Sequence, residues 1–512
     1  MRKILITLAV VVLLLAAIPV ALIASGAIDS TSLRMMLNVM AGWSGPAADS
    51  GVVKQRYQLP PGFSVSLYAS DTPRARFLHM TPMGDLLVSR PHMGDILLLQ
   101  RDADSDGLPD AQRVLVDNLK RPLGLDVHAD WLYIAESHRI IRLPFDDASA
   151  TITGEHEVLV DGLTDNGNHW SKTLRVGPDE RLYLAQGSTC NVCEEEDPRR
   201  ATMMRFQLDG SSGAIIADGL RNSVGFDWAP WNNALYATDN GRDLLGDDFP
   251  PCELNRIEAG SFYGWPYFNG ANIPDPDMGE QLPADSPTPT EPEHGFRAHN
   301  APLGIRFLDG NGLPPEFQRS ALVALHGSWN RSEPDGYKVV SLHWTDSGIE
   351  ERDFLTGFNL DGDISGRPVD VVQGPDGAIY VSDDYAGAIY KITYGAGSSN
   401  PVSNQPLTGT KPRSRLDAAP PAWLAEADLA AMAASGAALY EQYNCASCHA
   451  AGENPLRLDG LAQRLGYAAV IDALQAPQAP MPIFPLSEDE QRALAVYLLG
   501  PGPGKRTTGQ AP

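Results

Sequence analysis

The feature that most constrains the fold is a local pattern that returns along the chain between Gln58 and Tyr394. A short apolar stretch is followed by a polar turn, then by a strand ending in a small or acidic residue. The strands read Leu86-Leu87-Val88, Leu132-Tyr133-Ile134, Leu182-Tyr183-Leu184, Leu235-Tyr236-Ala237, Leu322-Val323-Ala324 and Ile379-Tyr380-Val381. Turn pieces such as Gly177-Pro178-Asp179 and Gly374-Pro375-Asp376-Gly377 stand just ahead of them. The spacing is roughly 45 to 60 residues, with one longer gap after Tyr236, and that period marks a β-propeller with one four-stranded blade per repeat. Six returns predict an all-β six-bladed β-propeller over residues 57–395. A two-sheet all-β protein is the competing arrangement. The long gap holds a Pro-rich insertion, 274–292, which reads as a loop on one face.

Past the propeller the composition changes. Residues 396–424 are rich in Gly, Ser, Asn, Pro and Thr and read as a linker. Residues 425–500 read as a small all-α cytochrome c domain, and 501–512 as a disordered tail. An Ala-rich helix over 426–442 leads into Cys445-Ala446-Ser447-Cys448-His449. C-x-x-C-H is the covalent attachment site of haem c. Cys445 and Cys448 reach the two vinyl groups, and His449 faces the iron. His449 is the only histidine after residue 400, and Met481, in Pro480-Met481-Pro482, is the only methionine after His449. A His/Met pair raises the reduction potential and suits electron transfer. A redox dithiol is the competing reading of the two thiols. A second helix over 487–499 opens on Ser487-Glu488-Asp489-Glu490, a capping-box pattern.

The opposite end concerns location. Met1-Arg2-Lys3 precedes an almost purely apolar run over 4–24. Residues 1–27 therefore read as a signal peptide or a membrane anchor. Either way the remainder is periplasmic, soluble or held at the inner membrane. With 39 Lys and Arg against 64 Asp and Glu, the formal charge is −25, which argues against nucleic acid as a partner. Cys190 and Cys193 form a second C-x-x-C, but Glu194 follows, so no haem is expected there. A local disulfide fits an oxidising compartment. Cys252 is left over, either unpaired or bonded to one of those two.

An acidic turn, Asp102-Ala103-Asp104-Ser105-Asp106-Gly107, carries oxygen ligands at alternate positions and Gly at the sixth, like the start of an EF-hand loop. Asp102, Asp104 and Asp106 are candidate Ca²⁺ ligands, although the twelfth position is Arg113. A plain solvated turn is the alternative.

Several ordered pieces carry a family resemblance. They are Asn168-His169-Trp170, Gly219-Leu220-Arg221-Asn222, Glu253-Leu254-Asn255 with Tyr263-Gly264-Trp265-Pro266, His326-Gly327-Ser328-Trp329-Asn330, and Arg367-Pro368-Val369-Asp370-Val371. With them, residues 59–394 resemble the bacterial soluble aldose and sorbosone dehydrogenases that use pyrroloquinoline quinone (PQQ), and the related fungal pyranose dehydrogenases. The resemblance implies that His169 takes the proton of a sugar hydroxyl while hydride passes to the quinone; an imidazole suits this because its pKa lies near working pH. Asp165 or His326 are alternative bases. It places Arg221, Arg367 and Lys338 on the cofactor's carboxylates, Asn222 on its polar edge and Arg90 at the mouth, with His326 and Trp329 packed on the ring. It also implies Ca²⁺ on the backbone carbonyls of Gly241 and Arg242. The turn here is Asp239-Asn240-Gly241-Arg242-Asp243, where the soluble glucose-type enzymes carry Gly-Pro. Asp243, Asp247 or Asp248 are therefore further candidates.

The function implied is a sugar or aldehyde dehydrogenase that returns electrons through haem to a respiratory acceptor. The alternative is a propeller that binds a polysaccharide or protein partner, without PQQ activity, tethered to a cytochrome. A Ca²⁺-dependent lactonase is a third reading, which leaves the haem without a purpose.

Overall fold

The computed structural model describes residues 45 and 47–395 except 311, and, further on, 423–424, 428–443, 445, 458, 461, 466–475 and 486–499. The chain divides into two compact units, Met1–Gly270 with Gln281–Lys411, and Ala271–Glu280 with Pro412–Pro512.

The first unit is a six-bladed β-propeller. Its six principal sheets run in chain order from an innermost strand outward, save that the outermost strand of the sixth comes from the beginning of the chain. The innermost strands are Leu78–Met80, Leu125–His128, Lys172–Val176, Ser223–Trp228, Pro302–Phe307 and Pro368–Gln373, which we number as blades 1 to 6. The strands expected from sequence form the second strand of each blade. In blade 1, Leu86–Arg90 and Asp95–Leu99 are buried at every position, whereas Gln112–Val116 outside them is exposed or half-buried. Strands covered on both faces by neighbouring sheets favour near-continuous apolar runs, here Leu86-Leu87-Val88 and Ile96–Leu99, with the Arg90–Asp95 pair at the hairpin end. This is why the inner strands read as short aliphatic runs and the outer ones do not. Blades 5 and 6 share a core that includes Leu322, Ala324, Val371, Ile379 and Val381.

The ring is closed by its own beginning. Phe63–Ala69 forms the outer strand of blade 6, antiparallel to Ala388–Tyr394, with Phe63 opposite Tyr394 and Leu67 opposite Tyr390. Ahead of it, helix Ser50–Arg56 is capped by Asp49, whose carboxylate accepts the N–H groups of Gly51 and Val52. The Tyr57 and Tyr390 hydroxyls lie 3.0 Å apart, and Tyr390 donates to Asp383 (2.9 Å).

Each innermost strand also contributes one charged or titratable side chain to a ring around the axis. Going round, His79, Asp126, Arg175, Asp227, Arg306 and Asp370 alternate in kind. His79 Nδ1 lies 3.1 Å from Asp126, Arg175 lies 2.9 Å from Asp227, and Arg306 lies 3.8 Å from the same carboxylate. Each aspartate also accepts a backbone N–H from the next blade: Asp126 from Val176 (2.7 Å), Asp227 from Phe307 (2.8 Å) and Asp370 from Leu78 (2.9 Å). The aspartates of blades 2, 4 and 6 thus each staple the following odd blade.

In the second unit, helices Leu429–Gln442, Tyr467–Gln475 and Glu488–Leu499 enclose a core with Leu439, Leu461, Val470, Leu474 and Leu494. The first begins three residues later than expected, because Asp428 caps it by accepting from Ala430 and Ala431. The capping box of the last is formed: Ser487 donates its N–H and hydroxyl to Glu490, 2.8 Å each. Gly436 lies against the Ala493 carbonyl, so any larger residue would force the two helices apart. The middle helix was not expected. Cys445 follows the first helix and donates its N–H to Tyr440 (3.1 Å). Cys448, His449 and Met481 lie outside the described residues, as do 1–44.

Candidate active site at the propeller mouth

Every innermost strand is entered from the same face. The segments before these strands and the turns joining second to third strands therefore meet at one mouth. His169 precedes the inner strand of blade 3. Its Nδ1 lies 2.8 Å from the Ser188 hydroxyl and 3.1 Å from the Ser188 carbonyl. Burial and the Arg221 charge lower its pKa to about 3, so the ring is neutral. Gly187 lies between His169 and Asn222: a side chain there would meet the His169 Cβ and the Asn222 amide. The Asn222 side chain has no hydrogen-bond partner among the described residues.

Two buried arginines hold this region through backbone carbonyls. Arg200, 1% exposed, donates to the carbonyls of Gly187 (2.6 Å), Thr164 (2.9 Å), Asn166 (3.2 Å), His169 (2.8 Å) and Ser188 (3.0 Å). All five guanidinium N–H groups are engaged. Beside it, Lys172 donates to the carbonyls of Thr164 and Trp170, 3.0 Å each; burial and Arg200 push its pKa down to about 7. Arg221, 5% exposed, is equally occupied. It donates to Asn191 O (2.9 Å) and Oδ1 (2.8 Å), to the carbonyls of Asn240 (3.0 Å) and Gly241 (2.9 Å), and to Asp243 (3.0 Å).

Under the 239–243 turn lies a cavity of about 20 Å³ bounded by Asp239, Gly241, Arg242, Glu253 and Asn269 among others. Loss of water raises the pKa of both Asp239 and Glu253, and the Asp239 charge raises that of Glu253 further. Two carboxylates round a space for one small particle offer the oxygen ligands a hard cation such as Ca²⁺ takes, and Arg221 and Arg242 line the same space.

Across the mouth, blades 6, 1 and 2 supply positive charge. Arg76 pairs with Asp384 (2.6 Å), which also accepts from His326 Nε2 (3.0 Å). Burial and Arg367 lower the His326 pKa to about 4. Arg74 has a buried Nη2 without a hydrogen-bond partner. Arg121 lies over the Trp170 ring at 5.0 Å and belongs to none of the ion pairs among the described residues. His92 meets Trp170 edge-on at 6.3 Å, and its pKa is lowered by burial and by Arg74 and Arg76. The buried, unmatched Nη2 of Arg74 and the exposed guanidinium of Arg121 are receptors for an anion. The three carboxylates of PQQ fit such a set.

The profile of the TrAA12-like family matches residues 57–252 and 284–395, more than half of the chain. The chain belongs to the TrAA12-like family. The profile described as cytochrome c oxidase, cbb3-type, subunit III matches residues 431–498 of the same chain. The TrAA12-like chain is 27% identical over 417 residues to a PQQ-dependent pyranose dehydrogenase of Coprinopsis cinerea, a match spanning 67% of this chain and 55% of that one. It is 28% identical over 249 residues to an aldose sugar dehydrogenase of Escherichia coli, covering 44% of this chain and 60% of that one. The solved PQQ domain of the Coprinopsis cinerea pyranose dehydrogenase shares the fold at TM-score 0.55 and 23% identity, over 66% of this chain and 97% of that one.

In the TrAA12-like domain the structure gathers His169, Asn222, Arg221, Gly241 and Arg242 on one side of the mouth. His326 and Arg367 come together on another, where Arg367 donates to the carbonyls of His326 and Gly327, 3.1 Å each. Trp329 is 46% exposed and available for stacking. Three expected cofactor cations are engaged elsewhere. Arg90 closes a two-bond clasp on Asp95 (2.7 Å each) across its own hairpin, Lys338 pairs with Asp353 (2.7 Å), and Arg221 has no donor left over. Asp243 is taken by Arg221 and Asn330, and Asp247 by Ser332. At the acidic turn, Asp110 joins Asp102 and Asp104 in place of Asp106, because Asp106 turns to accept the N–H of Leu108 (2.8 Å). Cys190 and Cys193 form the local disulfide, and Cys252 is buried and unpaired. Sequence reading missed Arg74, Arg121, Lys172, Ser188 and Arg200. Each looks like an ordinary polar or surface residue until the blades close.

Proposed function

We propose that the protein is a periplasmic quinohaemoprotein dehydrogenase that oxidises a sugar, an aldose or a related hemiacetal or aldehyde. The observation that carries this reading is a neutral imidazole held by Nδ1 at a mouth that also presents Arg74 and Arg121 to an anion. PQQ, when bound beside Ca²⁺, supplies a two-electron hydride acceptor. Arg74, Arg121 and Arg367 would hold its carboxylates, and Asn222 would offer its amide to a polar edge. Asp239 and Glu253, with the Gly241 carbonyl, would hold the cation. His169 Nε2, with its lone pair free, would take the proton of the anomeric hydroxyl while the C–H hydride passes to that acceptor. Exposed Trp329 offers a face for ring stacking. Haem, which Cys445 and Cys448 would hold with His449 and Met481 as candidate iron ligands, would supply a one-electron carrier toward a respiratory acceptor. A short tether keeps such a carrier at millimolar effective concentration.

The test is to load the haem-containing protein with Ca²⁺ and PQQ and to follow the reduced-haem absorption band against a panel of aldoses. Reduction that requires both PQQ and sugar, and is lost in His169→Ala, is the expected result. Haem that stays oxidised, together with no PQQ binding, would leave a binding propeller tethered to a cytochrome.

A further inference from the structure

Between the two cysteines of the Cys190–Cys193 disulfide stands Asn191, which bonds Arg221, Trp265 and Asp243. Its carbonyl accepts from Arg221 Nε (2.9 Å) and from the Trp265 indole (3.3 Å). Its side-chain oxygen accepts from Arg221 Nη2 and from the backbone N–H of Asp243, 2.8 Å each. Its amide donates back to the Asp243 carbonyl (3.1 Å). Asn191 therefore ties the Asp243 end of the 239–243 turn to the guanidinium that itself binds the Asn240 and Gly241 carbonyls. On the other side, the Cys190 carbonyl accepts the Ser188 hydroxyl (2.7 Å), and Ser188 holds His169. Ser188 N–H in turn donates to the Arg221 carbonyl (2.7 Å).

We infer that Asn191 is a positioning residue for the cation turn, and that the disulfide is the brace that fixes it. The idea rests on the proposed function for its catalytic meaning, but its geometry does not depend on that reading. A loop of two residues between bonded cysteines has little freedom, so Asn191 keeps both faces of its amide in register with Arg221 and Asp243. The same brace holds the base, because Cys190 orients the Ser188 hydroxyl. Opening it takes two electrons and two protons from a dithiol, which leaves as its own disulfide while Cys190 and Cys193 become thiols. Both halves of the site then loosen in one event.

The first measurement is hydrogen exchange by mass spectrometry on the full-length, haem-loaded protein without Ca²⁺ or PQQ. Three states are compared: oxidised, reduced with dithiothreitol and alkylated, and Asn191→Ala. We expect at least about tenfold faster exchange in peptides covering 186–191 and 239–245 in the latter two, with blade 6 unchanged. The second measurement is reconstitution. Half-saturating Ca²⁺ should rise about tenfold in Asn191→Ala while kcat at saturating Ca²⁺ and PQQ stays within about twofold, a split that general unfolding does not produce. Cys190→Ser/Cys193→Ser is the second variant, free of alkylation. Unchanged exchange at 239–245 after verified reduction would overturn the brace. Faster exchange in a protein that binds neither Ca²⁺ nor PQQ would keep the brace and overturn the dehydrogenase reading instead.

Discussion

His169 Nδ1 faces two oxygens of Ser188, the hydroxyl at 2.8 Å and the carbonyl at 3.1 Å. A carbonyl only accepts, and the Ser188 hydroxyl proton is directed at Cys190 O (2.7 Å). The imidazole proton therefore sits on Nδ1, and Nε2 carries the bare lone pair.

That assignment fixes a pH dependence. A base acts unprotonated, and burial with the Arg221 charge lowers its pKa to about 3. Its protonation begins only as pH falls toward that value, so kcat/KM should show no acid limb from His169 between pH values of about 5 and 8. A limb near the ordinary imidazole pKa that disappears with Ser188→Ala would contradict the assignment. His169→Ala should slow haem reduction by about 10²–10⁴-fold while PQQ still binds.

The arginines separate by partner. Arg74→Ala and Arg121→Ala should each weaken PQQ binding about tenfold or more, since each removes a charge-assisted contact. Arg90→Ala should leave PQQ affinity within about twofold and lower the melting temperature, because its partner is Asp95. Equilibrium dialysis and thermal scans on the three variants distinguish these outcomes.

Asp239 and Glu253 couple metal to pH. Their folded-state pKa values are raised, so the metal-free fold retains protons that the unfolded chain releases. Its stability therefore falls as pH rises from the ordinary carboxylate range through the raised one. Ca²⁺ competes with those protons, and its stabilising effect should be larger at pH 8 than at pH 5.5. Tm with and without chelator at both pH values measures this, and Glu253→Gln should flatten the difference.

Asp227 is the most heavily used member of the axial ring, facing Arg175, Arg306 and the Phe307 N–H. Asp227→Ala strands two guanidinium groups near the axis and should cost about 3–5 kcal/mol in urea unfolding. Asp227→Asn keeps an acceptor for Phe307 and should cost less.

The blades were legible because each inner strand is sandwiched between neighbours, and that demand is written locally as Leu86-Leu87-Val88 or Leu322-Val323-Ala324. The Ser487 capping box was legible for the same reason, since both partners lie within one turn. His169 and Asn222 came from an ordered family resemblance, and the structure sets them side by side. Partner choice among arginines was not legible. Arg90 finds its carboxylate five residues away, whereas Arg200 gathers carbonyls from two separate loops. The axial ring escaped notice because Asp126, Arg175 and Asp227 each look like one polar exception in a strand. Only ring closure makes them neighbours.

Closure has a temporal consequence as well. Phe63–Ala69 emerges first and waits for Ala388–Tyr394, so a growing chain carries an unpaired strand edge for nearly the whole of propeller synthesis. The Asp383 and Asp384 that bind Tyr390, His326 and Arg76 arrive with that last blade. A chain shortened before that blade would therefore lack not one blade but a finished rim.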